Sequence, residues 1–240
     1  MKVLCIIPVF NEEHRLKNLL NQLNKFKYEE YNLKYLFINN GSQDSSKKII
    51  HDSQFAYLNF KKNMGIGYAL MLGYIFAIKY NYNIVIHLAG NGKMNPAEII
   101  KFLDAIIHEK YDFVNGSRFL EGSSKKNNPI YRIIMIRFFS FFLNIFLKNN
   151  ITDATCGFRA FKVNLLSNFK KTYFKKELFT YGYEYFSFGK IISNKKVKFK
   201  EIAVGMNYPS KKNYTKIKPF TDWYIILKYW IKGLFDRSPL

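Results

Sequence analysis

Val3-Leu4-Cys5-Ile6-Ile7-Pro8-Val9-Phe10-Asn11-Glu12 is the stretch that decides the fold. Five apolar residues in succession, closed by Pro8, read as a strand covered on both faces, the pattern of a parallel sheet. Glu12 to Asn24 then places Leu16, Leu19, Leu20 and Leu23 at helical spacing. The alternation continues with a strand over Tyr35 to Ile38, a short helix over Ser45 to His51 and a short strand over Phe55 to Asn59. Met64 to Tyr80 reads as a long apolar helix, Ile84 to Leu88 as a strand, and Pro96 to Ile107 as a helix with proline in its first turn. Such an order predicts an α/β fold: a mostly parallel sheet with helices on both faces and a ligand crevice beyond the carboxyl ends of the strands.

Four short loops are expected at that edge. They are Pro8-Val9-Phe10-Asn11-Glu12, Asn39-Asn40-Gly41-Ser42-Gln43-Asp44, Asn63-Met64-Gly65-Ile66-Gly67 and Ala89-Gly90-Asn91-Gly92-Lys93-Met94-Asn95-Pro96. All but the third directly follow a strand-like run, and each leads into a helix-like one. Glycines at a helix start let an anionic ligand approach backbone amides, although the same pair also serves close helix packing. Leu70 stands where a dinucleotide fingerprint has its third glycine, and the motif does not follow the first strand, which speaks against a dehydrogenase.

Beyond Phe113-Val114 the pattern changes. Gly122 to Asn128 has the composition of a mobile, lid-like loop. Helices are predicted over Tyr131 to Lys148 and Tyr183 to Ile192, and a strand over Val197 to Val204. A basic, irregular stretch leads to Pro219, which opens a last helix with Trp223, Leu227, Trp230 and Leu234 on one face. The domain reading is a main domain over 1–215 followed by a basic, aromatic amphipathic helix over 216–240, serving packing or a membrane interface.

The chain has 240 residues and a net charge of +21, from 38 Lys and Arg against 17 Asp and Glu. That balance favours acidic partners: phosphates or an anionic membrane face. No nucleic-acid partner is expected, because the aromatic residues fall in apolar runs and no nucleic-acid module is present. Cys5 and Cys156 lie in dissimilar settings and give no disulfide framework, which points to a reducing cytoplasm. No signal peptide is apparent at the start, and Ile133 to Leu147, broken by Arg137, Ser140 and Asn144, is too short to span a bilayer. Basic residues beside the aromatic helices, among them Arg132, Lys148, Lys216, Lys218, Lys228 and Lys232, suit peripheral attachment to the inner face of a cytoplasmic membrane. His14, His51, His87 and His108 show no metal-ligand spacing, and only His87 falls near one of the loops.

Taken in order, these loops resemble glycosyltransferase family 2, and within it the enzymes that load a sugar onto polyprenyl or dolichyl phosphate. The resemblance covers nearly the whole chain. It adds Gly116-Ser117-Arg118, Pro129-x-x-Arg132, Asp153-x-x-Cys-Gly157-Phe158-Arg159-Ala160-Phe161, Gly182-Tyr183-Glu184 and Tyr214-x-Lys216-Ile217 to the loops already quoted. It implies a GT-A (Rossmann-like) fold, a nucleotide-sugar donor, more readily UDP-linked than GDP-linked, a polyprenyl phosphate acceptor and inversion at the sugar carbon. Donor-binding positions carried over are Pro8, Asn11, Glu12, Asn39, Asn40, Asp44, Gly65 and Gly90. Asn39 and Asn40 replace an acidic pair that reads the base. Asn91, Lys93, Arg118, Arg132, Asp153 and Arg159 are the catalytic candidates, the arginines lying near donor and acceptor phosphates, and Glu184 binds the sugar or orients an arginine.

The fourth loop departs from the family, which places acidic residues there to hold a divalent cation, Mg²⁺ or Mn²⁺, on the donor diphosphate. Asn91 and Asn95 take that place here, with Lys93 between them. Three readings stay open: a cation held mainly by the diphosphate with Asn91 as a neutral ligand, its replacement by Lys93 and the arginines, or a catalytically silent site. Two further alternatives are a glycan acceptor, with Asp153 as the base its hydroxyl would need, and a non-catalytic binding protein on the same fold.

Overall fold

The computed structural model describes residues 1–26, 30–123, 130–147, 150–166, 176–207 and 221–237. The chain runs β1 (Lys2–Val9), α1 (Glu13–Lys25), β2 (Asn32–Asn39), α2 (Ser46–His51), β3 (Ala56–Asn59), α3 (Ile66–Lys79) and β4 (Ile84–His87). A 3₁₀ turn (Pro96–Glu98) then leads into α4 (Ile99–Ile107), β5 (Phe113–Ser117), α5 (Ile130–Phe146), β6 (Arg159–Lys162), α6 (Gly182–Ser193), β7 (Phe199–Ala203) and α7 (Thr221–Phe235). Seven strands form one sheet in the order β3-β2-β1-β4-β6-β5-β7. The neighbours are parallel except β6, which runs antiparallel to both β4 and β5.

The continuous apolar run of β1 now has its cause. Leu4 and Ile6 pack on the side of α3, α6 and α7, whereas Val3, Cys5, Ile7 and Val9 pack on the side of α1 and α4. Successive side chains point to opposite faces, so a strand with a core on each side is apolar at every position. Cys5 and Cys156 are both buried free thiols.

β6 was not predicted. Arg159-Ala160-Phe161-Lys162 is short and carries charge at both ends, so it shows neither a long apolar run nor turn-bounded alternation. Its burial is nevertheless divided between the two cores, Ala160 on one face and Phe161 on the other. Because it is antiparallel, its first residue sits at the edge where its neighbours end: Arg159 pairs in register with His87 of β4 and Asn115 of β5.

The face that spacing predicts for the last helix packs inward in part, with Trp230 fully buried and Leu227 and Leu234 against the core, but the tightest seam lies on the adjoining face. Ile226, Tyr229, Trp230 and Gly233 are its buried residues. Glycines permit a close approach to α6: a methyl added at Gly182 would lie 2.6 Å from the Tyr229 ring, and one at Gly233 would overlap the Phe186 carbonyl oxygen. Trp230 is fully buried and donates from its indole nitrogen to the Ala154 carbonyl at 3.4 Å. In contrast, α5 leaves Ile130, Tyr131, Ile134, Phe138, Phe141 and Ile145 each more than half exposed. No helix among the described residues is long and apolar enough to cross a membrane. Most of the lid-like loop and the whole Tyr214-x-Lys216-Ile217 motif fall outside the described residues.

Gly233→Ala is expected to destabilise the protein by about 1–3 kcal/mol through overpacking, although alanine ordinarily favours a helix over glycine by about 1 kcal/mol. Urea unfolding checks the sign: a variant at least as stable as wild type would show that α6 and α7 do not meet at this distance.

Candidate active site

The carboxyl ends of β1, β2 and β4 open onto a cleft of about 550 Å³. Its wall includes Pro8 and Glu12 from the first loop, Asn40 from the second, Asn63 and Gly65 from the third, and Gly90, Asn91 and Lys93 from the fourth. Arg118, Arg132 and Glu184 reach it from the other half of the sheet. Asn11, Asn39, Asp44, Asn95, Asp153 and Arg159, also singled out from the sequence, do not line it. Each of these six is engaged in holding the wall.

Asn11 has a left-handed backbone, φ 51°, which Asn tolerates better than most residues. Its side-chain oxygen accepts from the Gln43 amide at 2.9 Å and its own amide donates to the Ser42 hydroxyl at 3.0 Å. Asp44 accepts from the amides of Glu13 at 3.1 Å and Ser46 at 2.9 Å. Partial burial pushes the Asp44 carboxyl up, but these hydrogen bonds prevail and hold it below the ordinary carboxylate value. The first two loops are thus laced together by Asn11 and Asp44.

Asn39 and Asn40 explain why amides stand in place of acids. Asn39 donates to the Asn59 side-chain oxygen at 2.6 Å while accepting from the Ser42 amide at 3.3 Å. Asn40 donates to the Asn63 oxygen at 3.0 Å and accepts from the Met64 amide at 2.9 Å. Each needs a donor and an acceptor on one side chain, which a carboxylate does not provide. Gly65, with φ 90°, and Gly67 lie against the backbone of 178–180, where any side chain would collide with a carbonyl oxygen. These glycines therefore seat α3 on the chain leading into α6 rather than on the sheet, and Gly65 also faces the cleft.

The fourth loop folds on its own amides. The Asn91 oxygen accepts from the Lys93 amide at 3.2 Å, and the Asn95 oxygen caps the 3₁₀ turn through the Ala97 amide at 3.1 Å. Gly90 donates to the Pro8 carbonyl at 3.2 Å, and a side chain there would press to 2.6 Å from Val9, so glycine allows the first and fourth loops to touch. Among the described residues no group of three or more His, Cys, Asp or Glu side chains is arranged to hold a metal ion. Hard divalent cations prefer carboxylate oxygens, and this loop offers two amide oxygens already occupied by N–H donors, beside an ammonium.

The acidic and basic candidates sort into two buried pairs. Arg118 grips Asp153 with two parallel contacts, Nε to Oδ2 at 2.6 Å and Nη2 to Oδ1 at 2.7 Å, and its Nη2 also reaches Thr155 Oγ1 at 2.7 Å. Asp153 has no exposed surface. Burial pushes its carboxyl up, yet Arg118 outweighs this and holds it below the usual range. A carboxylate so paired is not a base for an acceptor hydroxyl, and Asp153 orients Arg118, not Arg159. Arg159 pairs instead with Glu184, Nη1 to Oε1 at 3.2 Å, donates from Nε to Asn115 at 3.1 Å, and lies over the Phe188 ring with its guanidinium carbon 4.2 Å from the centroid. Burial raises the Glu184 carboxyl and Arg159 opposes that shift. Arg132 enters the cleft from the buried side of α5.

Sequence reading passed over Thr155, Tyr181 and Asp222, all in the cleft wall. Thr155 had a signal, lying inside the Asp153 motif; Asp222, in the first turn of α7, had none. His87 lies at the floor, its ring stacked on Tyr74 at 5.3 Å. Burial, and after it the nearby Arg159, pushes its pKa down to about 3, so it stays neutral.

A sheet-edge cleft walled by loops, with lysine and arginine facing neutral amides, defines an α/β fold whose site lies beyond the carboxyl ends of its strands. The sequence model described as glycosyl transferase family 2 matches residues 4–169, and the chain belongs to that family. A UDP-N-acetylglucosamine–dolichyl-phosphate N-acetylglucosaminyltransferase of Methanococcus voltae is 25% identical over 181 residues, covering 68% of this chain and 70% of its own. An undecaprenyl-phosphate mannosyltransferase of Micrococcus luteus is 27% identical over 171 residues, covering 69% and 68%. Over four such relatives the match spans 63–70% of their length. Among solved structures, glucosyl-3-phosphoglycerate synthase from Mycobacterium tuberculosis, in complex with Mn²⁺, UDP and phosphoglyceric acid, superposes with a TM-score of 0.66 at 14% identity, over 97% of this chain and 77% of that one. The GT-A fold and a glycosyltransferase assignment stand on these likenesses and on the sheet itself.

Removing one partner of the Arg118–Asp153 pair is expected to cost about 3–5 kcal/mol, because the other charge is left buried. Arg118→Ala therefore lowers the melting temperature as well as activity. The Asp153 carboxyl is depressed in the folded state, so its contribution is complete above about pH 4 and is lost as pH falls below that value. Denaturant titrations across pH 2–6 should show this acid loss in wild type and a flatter profile in Asp153→Asn.

Proposed function

We propose that this chain transfers a sugar from a nucleotide-linked donor to polyprenyl phosphate, with inversion, at the inner face of a cytoplasmic membrane. One observation carries the reading: Arg132, on the buried side of α5, lines the same cleft as Lys93, while the opposite side of α5 exposes a continuous apolar and aromatic stripe. A lipid phosphate needs a cationic cleft opening beside an apolar surface. The relatives' names for dolichyl- and undecaprenyl-phosphate acceptors support the same acceptor class.

Pro8, Glu12 and Asn40 form the nucleoside end, with Asn11, Asn39 and Asp44 holding those loops in place, and Gly65 and Gly90 keep the backbone close. UDP is the favoured carrier, in line with the UDP bound in the solved neighbour. The acceptor phosphate oxygen is ionised near neutral pH and attacks the anomeric carbon without a general base. A carbon–oxygen bond to the lipid phosphate forms as the bond to the donor diphosphate breaks, and the nucleoside diphosphate leaves with the electron pair. Lys93, with Arg132, balances the negative charge that builds on the leaving group. Arg118 supports this charge from the wall while fixed on Asp153, and Arg159 acts through Glu184, which faces the sugar. The residues of the fourth loop do not fit a resident cation, so no step is assigned to one.

Membrane attachment is assigned to α5, since the apolar face of α7 is spent on α6. Burying one exposed phenylalanine yields about 1.5–3 kcal/mol and each nearby basic residue adds about 1 kcal/mol. Substituting Phe138 and Phe141 by Asp together is expected to reduce co-sedimentation with anionic liposomes by at least tenfold, without changing the melting temperature. Equal binding by this variant would remove α5 as the docking face.

Radiolabelled UDP-sugars incubated with short-chain polyprenyl phosphate should yield lipid-soluble label. Lys93→Ala is expected to lower turnover about 10²–10³-fold, the loss typical of one charge-stabilising donor, and EDTA to leave wild type largely active. Full loss with EDTA and recovery with Mn²⁺ would return the diphosphate charge to a metal.

A further inference from the structure

Two kinds of charge share the cleft. Lys93 and Arg132 suit phosphates, and the carboxylates of Glu184 and Asp222 line the wall as well. A carboxylate oxygen keeps lone pairs beyond one partner, and the hydroxyls of an uncharged polyol donate to such oxygens in strong, charge-assisted hydrogen bonds. Glu184 is buried, and its Oε1 is held by Arg159 at 3.2 Å while Oε2 accepts no hydrogen bond within the described residues. Tyr181 and Tyr185 supply rings to the same wall. Burial, then the charges of Asp222 and Glu184, push the Tyr181 hydroxyl up to about 12 against the opposing charge of Arg132, so it stays a proton donor at neutral pH.

Asp222 lies in the first turn of α7, and Ile225 of the same helix also lines the cleft. Glycine contacts at Gly182, Gly189 and Gly233 seat α7 on α6, the helix that carries Glu184. The start of the last helix is thereby fixed relative to Glu184.

We propose that Asp222 of α7, with Tyr181, forms the sugar-selecting end of the donor site, taking hydroxyls of the hexose that Glu184 faces. This rests on the reading that the donor is a nucleotide sugar, and it makes the C-terminal helix part of the active site. Phosphates are left to Lys93 and Arg132, and the sugar lies between the two carboxylates.

Calorimetric titration separates the possibilities. Wild type, Asp222→Asn, Asp222→Ala and Tyr181→Phe are each titrated with free UDP and GDP, and with UDP-glucose, UDP-N-acetylglucosamine and GDP-mannose. Expected is an unchanged affinity for the free nucleotide, within about twofold, and a loss of about ten- to a hundredfold for the preferred sugar nucleotide in Asp222→Ala, as for hydrogen bonds to a charged group. Asp222→Asn, which keeps an acceptor oxygen, should lose less, and Tyr181→Phe should lose in the same direction. The proposal is overturned if the ratio of sugar-nucleotide to free-nucleotide affinity does not change, or if both affinities fall together, the mark of a scaffold residue. Should wild type bind no nucleotide at all, the donor reading itself fails, a result distinct from either of those.

Discussion

The buried ion pair of Arg118 and Asp153 is the constraint on which the right half of the sheet depends, because it closes a largely buried polar network. Asn115 is its hub: one amide group donates to the Asp153 carbonyl and to Glu201 Oε1, both at 2.9 Å, while its oxygen accepts from Arg159. Glu201 in turn accepts from the amide and hydroxyl of Thr152, both at 2.6 Å. Residues from β5, β6, β7 and the 152–155 loop are thus locked into one arrangement. A fully satisfied buried network rigidifies and specifies a unique packing, while a half-satisfied one is costly. What it fixes is the wall of the cleft, where Arg118 and Thr155 stand.

The left half solves the same problem with neutral groups. Four loops at a sheet edge have backbone amides that need partners, and Asn11, Asn39, Asn40, Asn63, Asn91 and Asn95 supply them. An amide side chain both donates and accepts, so it ties two loops together without adding charge. The loop amides add no negative charge to the cleft, and the net charge of +21 gives the protein a field that draws anionic ligands.

Much of this was legible in the sequence, and the reasons are physical. β1 through α4 read correctly because strands covered on both faces are apolar throughout and helices repeat at 3.6 residues. β6 was hidden: a four-residue strand between two others needs no apolar run of its own when its neighbours supply the core. The inward face of α7 was read only in part, because spacing marks large side chains such as Trp230, while the seam with α6 is set by glycines, which carry no hydropathy signal. At the site, the loops that line the cleft were found from their motifs. The pairing of the charges was not, since Arg118, Asp153, Arg159 and Glu184 are brought together by strand order alone, and either arginine could have taken either acid on sequence grounds.

Strand order also settles how the cations divide their labour. β6 is antiparallel, so Arg159 starts at the cleft edge but below its wall, stacked on Phe188 and committed to Glu184 and Asn115. Arg118 leaves the end of β5 and is turned onto Asp153. Neither guanidinium can swing to a ligand without uncovering a buried carboxylate, whose desolvation far exceeds the gain from one phosphate contact. Lys93 and Arg132, on a loop and a helix, supply further basic groups to the cleft wall, whereas Arg118 and Arg159 are held as fixed charges. Fixed charge costs no reorganisation when a ligand enters the cleft.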